Sequence, residues 1–265
     1  MVTSKQIWEN FQKVKEKSPL IHNITNYVVM NSTANALLAV GASPVMAHSV
    51  EEVEEMVKIA NALVINIGTL SPRWVEAMKL ALREANRLNK PVVFDPVGAG
   101  ATAFRNQTIA ELLETGTFTV IRGNASEIIA MVSTLHRTKG VDSTSTVESA
   151  IESAEYLCKK FGSILCISGK TDIIISDNKQ MKIYNGHEMM SKVTGLGCTA
   201  TAIIGAFLGV VNNPFIATVS AMAVMGVAGE LAAKSSSGPG SLQLNLTDKF
   251  YNMTEKEFTQ TINVE

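Results

Sequence analysis

Residues 92–100 read Val-Val-Phe-Asp-Pro-Val-Gly-Ala-Gly. The apolar run 91–94 has the length of a buried strand and stops at Asp95-Pro96, where a proline prevents the hydrogen-bond ladder from continuing. Three other runs have the same form: 62–66 before Ile67-Gly68-Thr69, 117–121 before Arg122-Gly123-Asn124, and 164–167 before Ser168-Gly169. Helical patterns lie between them, such as 71–88, which opens on a Ser-Pro cap, and 146–160. Short strands alternating with helices predict an α/β fold: a mostly parallel central sheet with helices on both faces.

Outward from these runs the punctuation is clear. Ile7, Phe11 and Val14 recur at helical spacing within 1–17, and the break at Ser18-Pro19 ends a first helix. Residues 21–26, Ile-His-Asn-Ile-Thr-Asn, read as a strained turn before a second helix over 27–40, closed by Gly41. Runs 172–176 and 180–184, on either side of Asp177-Asn178-Lys179, predict a hairpin that adds an antiparallel edge. From Gly195 onward the chain reads as helical, with Pro214 opening one helix and Gly238-Pro239-Gly240 starting or interrupting another. Without an internal repeat or a long linker, 1–265 is expected to form one domain.

Composition narrows the function classes. Formal charge is −1, from 23 basic and 24 acidic residues, and neither sign forms a block. That excludes a general nucleic-acid surface and a polybasic membrane anchor. No apolar run is expected to reach the roughly 20 residues of a membrane span, and no signal peptide is expected. Cys158, Cys166 and Cys198 form no Cys-x-x-Cys motif, and the four histidines have no zinc-ligand spacing. The expectation is a soluble, cytoplasmic protein.

In open α/β sheets ligands bind beyond the carboxyl ends of the strands. Residues 193–202, Val-Thr-Gly-Leu-Gly-Cys-Thr-Ala-Thr-Ala, run straight into the apolar 203–211. A glycine-rich turn therefore opens a buried helix, whose unpaired N–H groups and positive dipole end suit a phosphate. Asp95, Arg122, Glu127 and Ser168 are predicted to share that rim.

Each of these residues has a plainer use as well. Asp95 can hold Mg²⁺ through water or cap a loop. Glu127 follows Arg122-Gly-Asn-Ala-Ser, where Asn124 or Ser126 can cap a short helix, and an acid in a first helical turn is ordinary helix chemistry. Arg122 can fork onto phosphate oxygens or pair with Asp95 or Glu127. Cys198, in the first turn of its helix, is expected to feel a dipole that lowers its pKa from about 8.5. Asn23 and Asn26 lie in the turn, while Asn31 and Asn35 share a helix face. Met46 can pack on a heteroaromatic ring or fill the core. His22 and His48 have no Ser or Asp partner at triad spacing.

Seven ordered motifs extend this reading: Ser18-Pro-Leu-Ile-His-Asn-Ile-Thr-Asn, Gly41-Ala-Ser-Pro-Val-Met, Asn66-Ile-Gly-Thr-Leu, Phe94-Asp-Pro-Val-Gly-Ala-Gly-Ala, Ile121-Arg-Gly-Asn-Ala-Ser-Glu, Asn185-Gly-His and Val193-Thr-Gly-Leu-Gly-Cys. Together they resemble the hydroxyethylthiazole kinase family over about 18–243. The resemblance implies a ribokinase-like fold and transfer of the ATP γ-phosphoryl group to the primary alcohol of 4-methyl-5-(2-hydroxyethyl)thiazole. It implies that Arg122 and Ser168 contact ATP and that Asp95 and Glu127 organise Mg²⁺. It places Asn26, Met46 and Gly68 near the thiazole, and Gly195 and the catalytic Cys198 near the reacting hydroxyl. It also implies a homotrimer with the thiazole site between subunits. Cys198 stands where many ribokinase-like enzymes have an Asp base, and Ser168 where threonine is common. The competing activities are a sister kinase for the pyrimidine half of thiamine, a nucleotide-dependent repair lyase and a non-catalytic thiazole-binding protein.

Overall fold

Alternation along the strands builds both layers of the core. Val64, Val93, Val120 and Cys166 are buried in one apolar cluster, with Ile7, Leu37, Ile204, Val224 and Leu246. Their neighbours Leu63, Ile65, Phe94, Ile121 and Leu165 are buried in the other, with Met78, Leu112, Ile128 and Leu157. Successive side chains of a strand point to opposite faces, so a strand apolar on both faces must be covered on both.

The computed structural model describes residues 2–136 and 147–265. In chain order the elements are α1 (Ser4–Lys17), β1 (Leu20–Ile24), α2 (Met30–Val40), β2 (Ser43–Val45), α3 (Val53–Ile59), β3 (Ala62–Asn66), α4 (Pro72–Arg87), β4 (Val92–Asp95), α5 (Ala103–Thr115), β5 (Val120–Asn124), α6 (Ala125–His136) and α7 (Val147–Phe161). They continue with β6 (Ile164–Ser168), β7 (Asp172–Ser176), β8 (Lys179–Ile183), a 3-10 turn (Glu188–Lys192), α8 (Leu196–Leu208), α9 (Pro214–Lys234), α10 (Pro239–Asn252) and α11 (Glu255–Thr261). The strands form one sheet in the order β2-β1-β3-β4-β5-β6-β7-β8. Pairing is parallel from β2 to β6 and antiparallel from β6 to β8. The expected mostly parallel sheet with an antiparallel edge is what forms.

Several boundaries differ from the sequence reading. Residues 20–24 are not a turn but strand β1, which pairs with β2 and β3. His22 and Asn23 disguise it, because polar side chains are buried where strands of a parallel sheet usually carry aliphatic ones. The second helix starts at Met30, three residues later than expected. Strand β5 starts at Val120 and includes Arg122, so 117–119 belong to the preceding connection. Pro239 starts α10 and does not interrupt a helix. Thr146, the expected start of the seventh helix, lies outside the described residues.

One expectation about length is overturned. Helix α9, at 21 residues, is long and apolar enough to cross a membrane, but 83% of its most apolar window is buried inside the structure. It packs against α1, α8 and α10 and against β7 and β8, so its hydrophobicity is that of a core helix. The β8 edge of the sheet is partly covered by residues 263–265, with Tyr184 N donating to Asn263 O at 3.0 Å. Lys182 and Glu265 exchange backbone hydrogen bonds at 2.8 and 2.9 Å, which pairs part of the exposed edge of β8.

Candidate active site

The same alternation that builds the core builds the site. On the face covered by α8, the apolar positions Val64, Val93, Val120 and Cys166 are each followed two residues later by a polar one: Asn66, Asp95, Arg122 and Ser168. Asn66, Asp95 and Ser168 end the strands β3, β4 and β6, and Arg122 lies two residues before the end of β5, between β4 and β6 in the sheet. Asn66 and Asp95 are direct register partners. Helix α8 lies close enough to reach them because Gly205 faces the sheet; a Cβ there would sit 2.8 Å from Val64 Cγ2.

The start of α8 requires glycine at two positions. Gly195 has φ +81°, and a Cβ on it would approach Val29 Cγ1 to 2.4 Å. A Cβ on Gly197 would lie 2.7 Å from Arg122 Nη1. No side chain caps this helix. A guanidinium therefore rests against an uncapped helix N-terminus, and two positive features converge on one point. An anion is the natural complement.

Asp95 is the hub beneath them. Its carboxylate is fully buried. Oδ2 accepts hydrogen bonds from Asn66 Nδ2 at 2.9 Å and Thr201 Oγ1 at 2.7 Å, with Arg122 Nη1 at 3.7 Å. Oδ1 has no hydrogen-bond partner among the described residues. Burial raises the Asp95 pKa to about 6, against the opposing attraction of Arg122 and the Thr201 and Asn66 hydrogen bonds. Arg122 also donates to Ser168 Oγ.

Glu127 reaches the same end of the sheet from the first turn of α6. Its Oε2 accepts from Asn124 N at 2.8 Å, while Asn124 Oδ1 accepts from Glu127 N at 2.9 Å. This reciprocal cap identifies Asn124 as the capping residue. Oε1 accepts from Gly98 N at 2.9 Å, which ties the loop after β4 to α6. No group of three or more His, Cys, Asp or Glu side chains placed to hold a metal occurs among the described residues. Two carboxylates, one with an unpartnered buried oxygen, suit magnesium, which keeps water and phosphate oxygens in its shell.

A second hydrogen-bonded chain leads to Cys198. Asn26 Nδ2 donates to Asn66 Oδ1 at 2.8 Å and to Cys198 Sγ at 3.4 Å. Gly68 N also donates to Asn66 Oδ1, at 2.9 Å, which fixes the amide so that Nδ2 faces Asp95. Gly68 must be glycine, since a Cβ there would lie 2.5 Å from Asn26 Nδ2. The expected lowering of the Cys198 pKa is overturned. Burial raises it, the nearby Asp95 charge raises it further, and the donors Asn66 and Asn26 oppose this only in part. Burial and the Asp95 charge together hold the group as a thiol near neutral pH.

Met46 lies in the segment before His48, whose ring reaches through Trp74 to Tyr27, the neighbour of Asn26 in the chain. His48 Nδ1 lies 3.4 Å from Met46 O, the His48 ring packs on Trp74 with centroids 4.6 Å apart, and Trp74 packs on Tyr27 at 4.7 Å. His22 holds this segment from below, with Nε2 2.8 Å from Ala47 O. Burial lowers its pKa to about 4, so it is a neutral tether and not an acid–base group. Asn31 and Asn35 bond to each other at 3.1 Å on an exposed helix face and do not join the site.

Three residues escaped the sequence reading. Asn66 and Thr201 show themselves only through the register and helix packing that bring them to Asp95. Asp172 starts β7, accepts from Gly169 N at 3.0 Å, and has its pKa raised to about 6 by burial. Its spacing from Ser168-Gly169 was a usable signal for a turn.

The model of the hydroxyethylthiazole kinase family matches residues 11–256. A hydroxyethylthiazole kinase of Syntrophus aciditrophicus is 54% identical over 99% of this chain and 98% of its own. One from Leptospira biflexa is 52% identical over 96% of each. The solved hydroxyethylthiazole kinase structure of Pyrococcus horikoshii covers 98% of each chain with a TM-score of 0.91 at 42% identity. A ribokinase-like superfamily protein of Enterococcus faecalis shares the fold at a TM-score of 0.63 and 15% identity, over 95% of this chain and 89% of its own.

Proposed function

The chain belongs to the hydroxyethylthiazole kinase family, and on that premise we propose that it transfers the γ-phosphoryl group of ATP to the primary alcohol of 4-methyl-5-(2-hydroxyethyl)thiazole, in thiamine salvage. The observation that carries this reading is the contact between Arg122 and the uncapped start of α8, with Asp95 directly behind. That arrangement offers a phosphate its cation and backbone donors together with a carboxylate for a metal.

Arg122 and Ser168 bind the phosphates of ATP, and Asp95 and Glu127 hold Mg²⁺. Bound there, the metal would neutralise charge on the phosphate oxygens. Asn26, Gly68 and Met46 line the thiazole side, and Gly195 turns the chain so that the α8 N–H groups face the transferring group. Phosphoryl transfer depends chiefly on positioning and charge stabilisation, with little demand for a strong base. Cys198 accepts an N–H bond from Asn26 and orients the alcohol; its minor thiolate form is what takes the alcohol's proton late, becoming the thiol as the oxygen bonds to phosphorus. Tyr27 and Val28, next to Asn26, are 65% and 64% exposed; a neighbouring subunit covering them would complete the site in a homotrimer. Residues 1–265 act as one cytoplasmic kinase domain.

The test is to incubate the purified chain with ATP, Mg²⁺ and hydroxyethylthiazole, and to follow thiazole phosphate by mass alongside the pyrimidine alcohol. Catalytic formation of thiazole phosphate is expected; turnover confined to the pyrimidine alcohol would reject the assignment. In the same assay Cys198→Asp should keep or raise turnover. Cys198→Ala should lower kcat by about tenfold, at or below the low end of general-base contributions, and an unchanged rate would remove the proton-transfer role.

A further inference from the structure

Arg105 has no place in the chemistry described so far, yet it is the most heavily engaged cation near the site. It projects from the first turn of α5 and is half-buried. Nη1 donates to Ile67 O and, at 2.6 Å, to Val97 O; Nη2 donates to Gly68 O at 2.7 Å. No carboxylate pairs with it among the described residues. Its charge is satisfied by peptide carbonyls from two separate loops.

Those loops belong to the two halves of the site. Ile67 and Gly68 follow β3, and the Gly68 N–H holds Asn66, which orients Asn26. Val97 follows β4 directly after Asp95-Pro96, and the next residue, Gly98, donates to Glu127. Gly98 has φ +71°, and a Cβ on it would lie 3.2 Å from Arg105 Nε, so the loop approaches the guanidinium closely. A planar fork can grip several oxygens in a fixed relation, which a single ammonium point cannot.

We infer that Arg105 is a positioning residue that locks the thiazole-binding loop to the metal-carboxylate loop, so that acceptor alcohol and phosphoryl donor meet in register. This rests on the kinase reading above. The clamp touches neither Arg122 nor Ser168, so nucleotide contacts should be spared.

The experiment compares the unaltered chain with Arg105→Met and Arg105→Lys. It measures kcat, both KM values, and the Kd for hydroxyethylthiazole by calorimetry without nucleotide or metal. Charged hydrogen bonds contribute enough that losing this set should weaken thiazole binding by about tenfold or more in Arg105→Met. The KM for ATP should move by less than threefold, and Arg105→Lys should recover part of the thiazole affinity. Equal losses in every parameter, or a thiazole Kd unchanged in either folded variant, would overturn the clamp. Should Arg105→Met not fold, Arg105→Lys decides alone, with weakened thiazole binding at near-normal ATP KM expected. No thiazole phosphate from the unaltered chain would instead defeat the kinase reading, and the clamp with it.

Discussion

Asp95→Asn is expected to lower kcat by about a thousandfold, the order set by the several kcal/mol a positioned cation supplies. Asparagine has nearly the same shape and keeps an oxygen for Asn66 or Thr201, so the chain should still fold. What it loses is the negative charge facing Arg122 and the free carboxylate oxygen Oδ1. The magnesium concentration for half-maximal rate should rise steeply; normal magnesium dependence in this variant would defeat the metal assignment.

The raised pKa of Asp95 adds a pH signature. The metal role needs the ionised form, so kcat/KM should fall as pH drops through about 6. The stability effect has the opposite sign. A carboxyl whose folded pKa lies above its unfolded value of about 3.9 binds its proton more tightly when folded. Its contribution to stability is greatest below that unfolded value and declines as pH rises through about 6. Asparagine does not titrate, so the Tm of Asp95→Asn relative to the unaltered chain should be more favourable at pH 7 than at pH 4. A difference that is flat with pH would show that Asp95 carries no such shift.

The second large effect is expected from Gly197→Ala. The added Cβ would come within 2.7 Å of Arg122 Nη1, 3.0 Å of Nη2 and 3.2 Å of Cζ. The obstacle is the far end of a flexible side chain, so the guanidinium moves while the backbone of α8 stays. Displacement by about 1 Å is enough to cost on the order of a hundredfold in rate. Arg122 loses its alignment with Asp95 and Ser168 together, and kcat/KM for ATP should fall by about that factor. Hydroxyethylthiazole binding without nucleotide, which rests on Asn26 and Gly68, should change little. Gly240→Ala is the control, since a Cβ there meets nothing within 4 Å. An unaltered ATP KM and kcat in Gly197→Ala would mean that Arg122 does not bind the nucleotide from this position.

Much of this architecture is legible along the chain, because it is written in local patterns. Val92 to Phe94 before Asp95-Pro96, Ala62 to Asn66 before Gly68, and Ile164 to Ile167 before Ser168 are strands by their apolar content and their breakers. Val193-Thr-Gly-Leu-Gly-Cys is a helix start by its glycines. Such signals depend on neighbours within a few residues, so one-dimensional reading reaches them. Strand β1 was lost for the same reason: His22 and Asn23 look like a turn until a surrounding sheet accounts for their burial.

What the sequence by itself determined is the alternation of strands and helices, the polar residues at or near the end of the central strands, and the motifs that mark the family. Which of those polar groups touch, and in what protonation state, was decided only by the tertiary structure. Asn66 reaches Asp95 through the β3 to β4 register, Thr201 through the packing of α8, and Arg105 gathers carbonyls from residues 67, 68 and 97. Cys198 shows the limit most directly. Its place in a first helical turn argued for a lowered pKa, and burial beside Asp95 raised it. The dipole follows from position in the chain, whereas desolvation depends on everything packed around the sulfur.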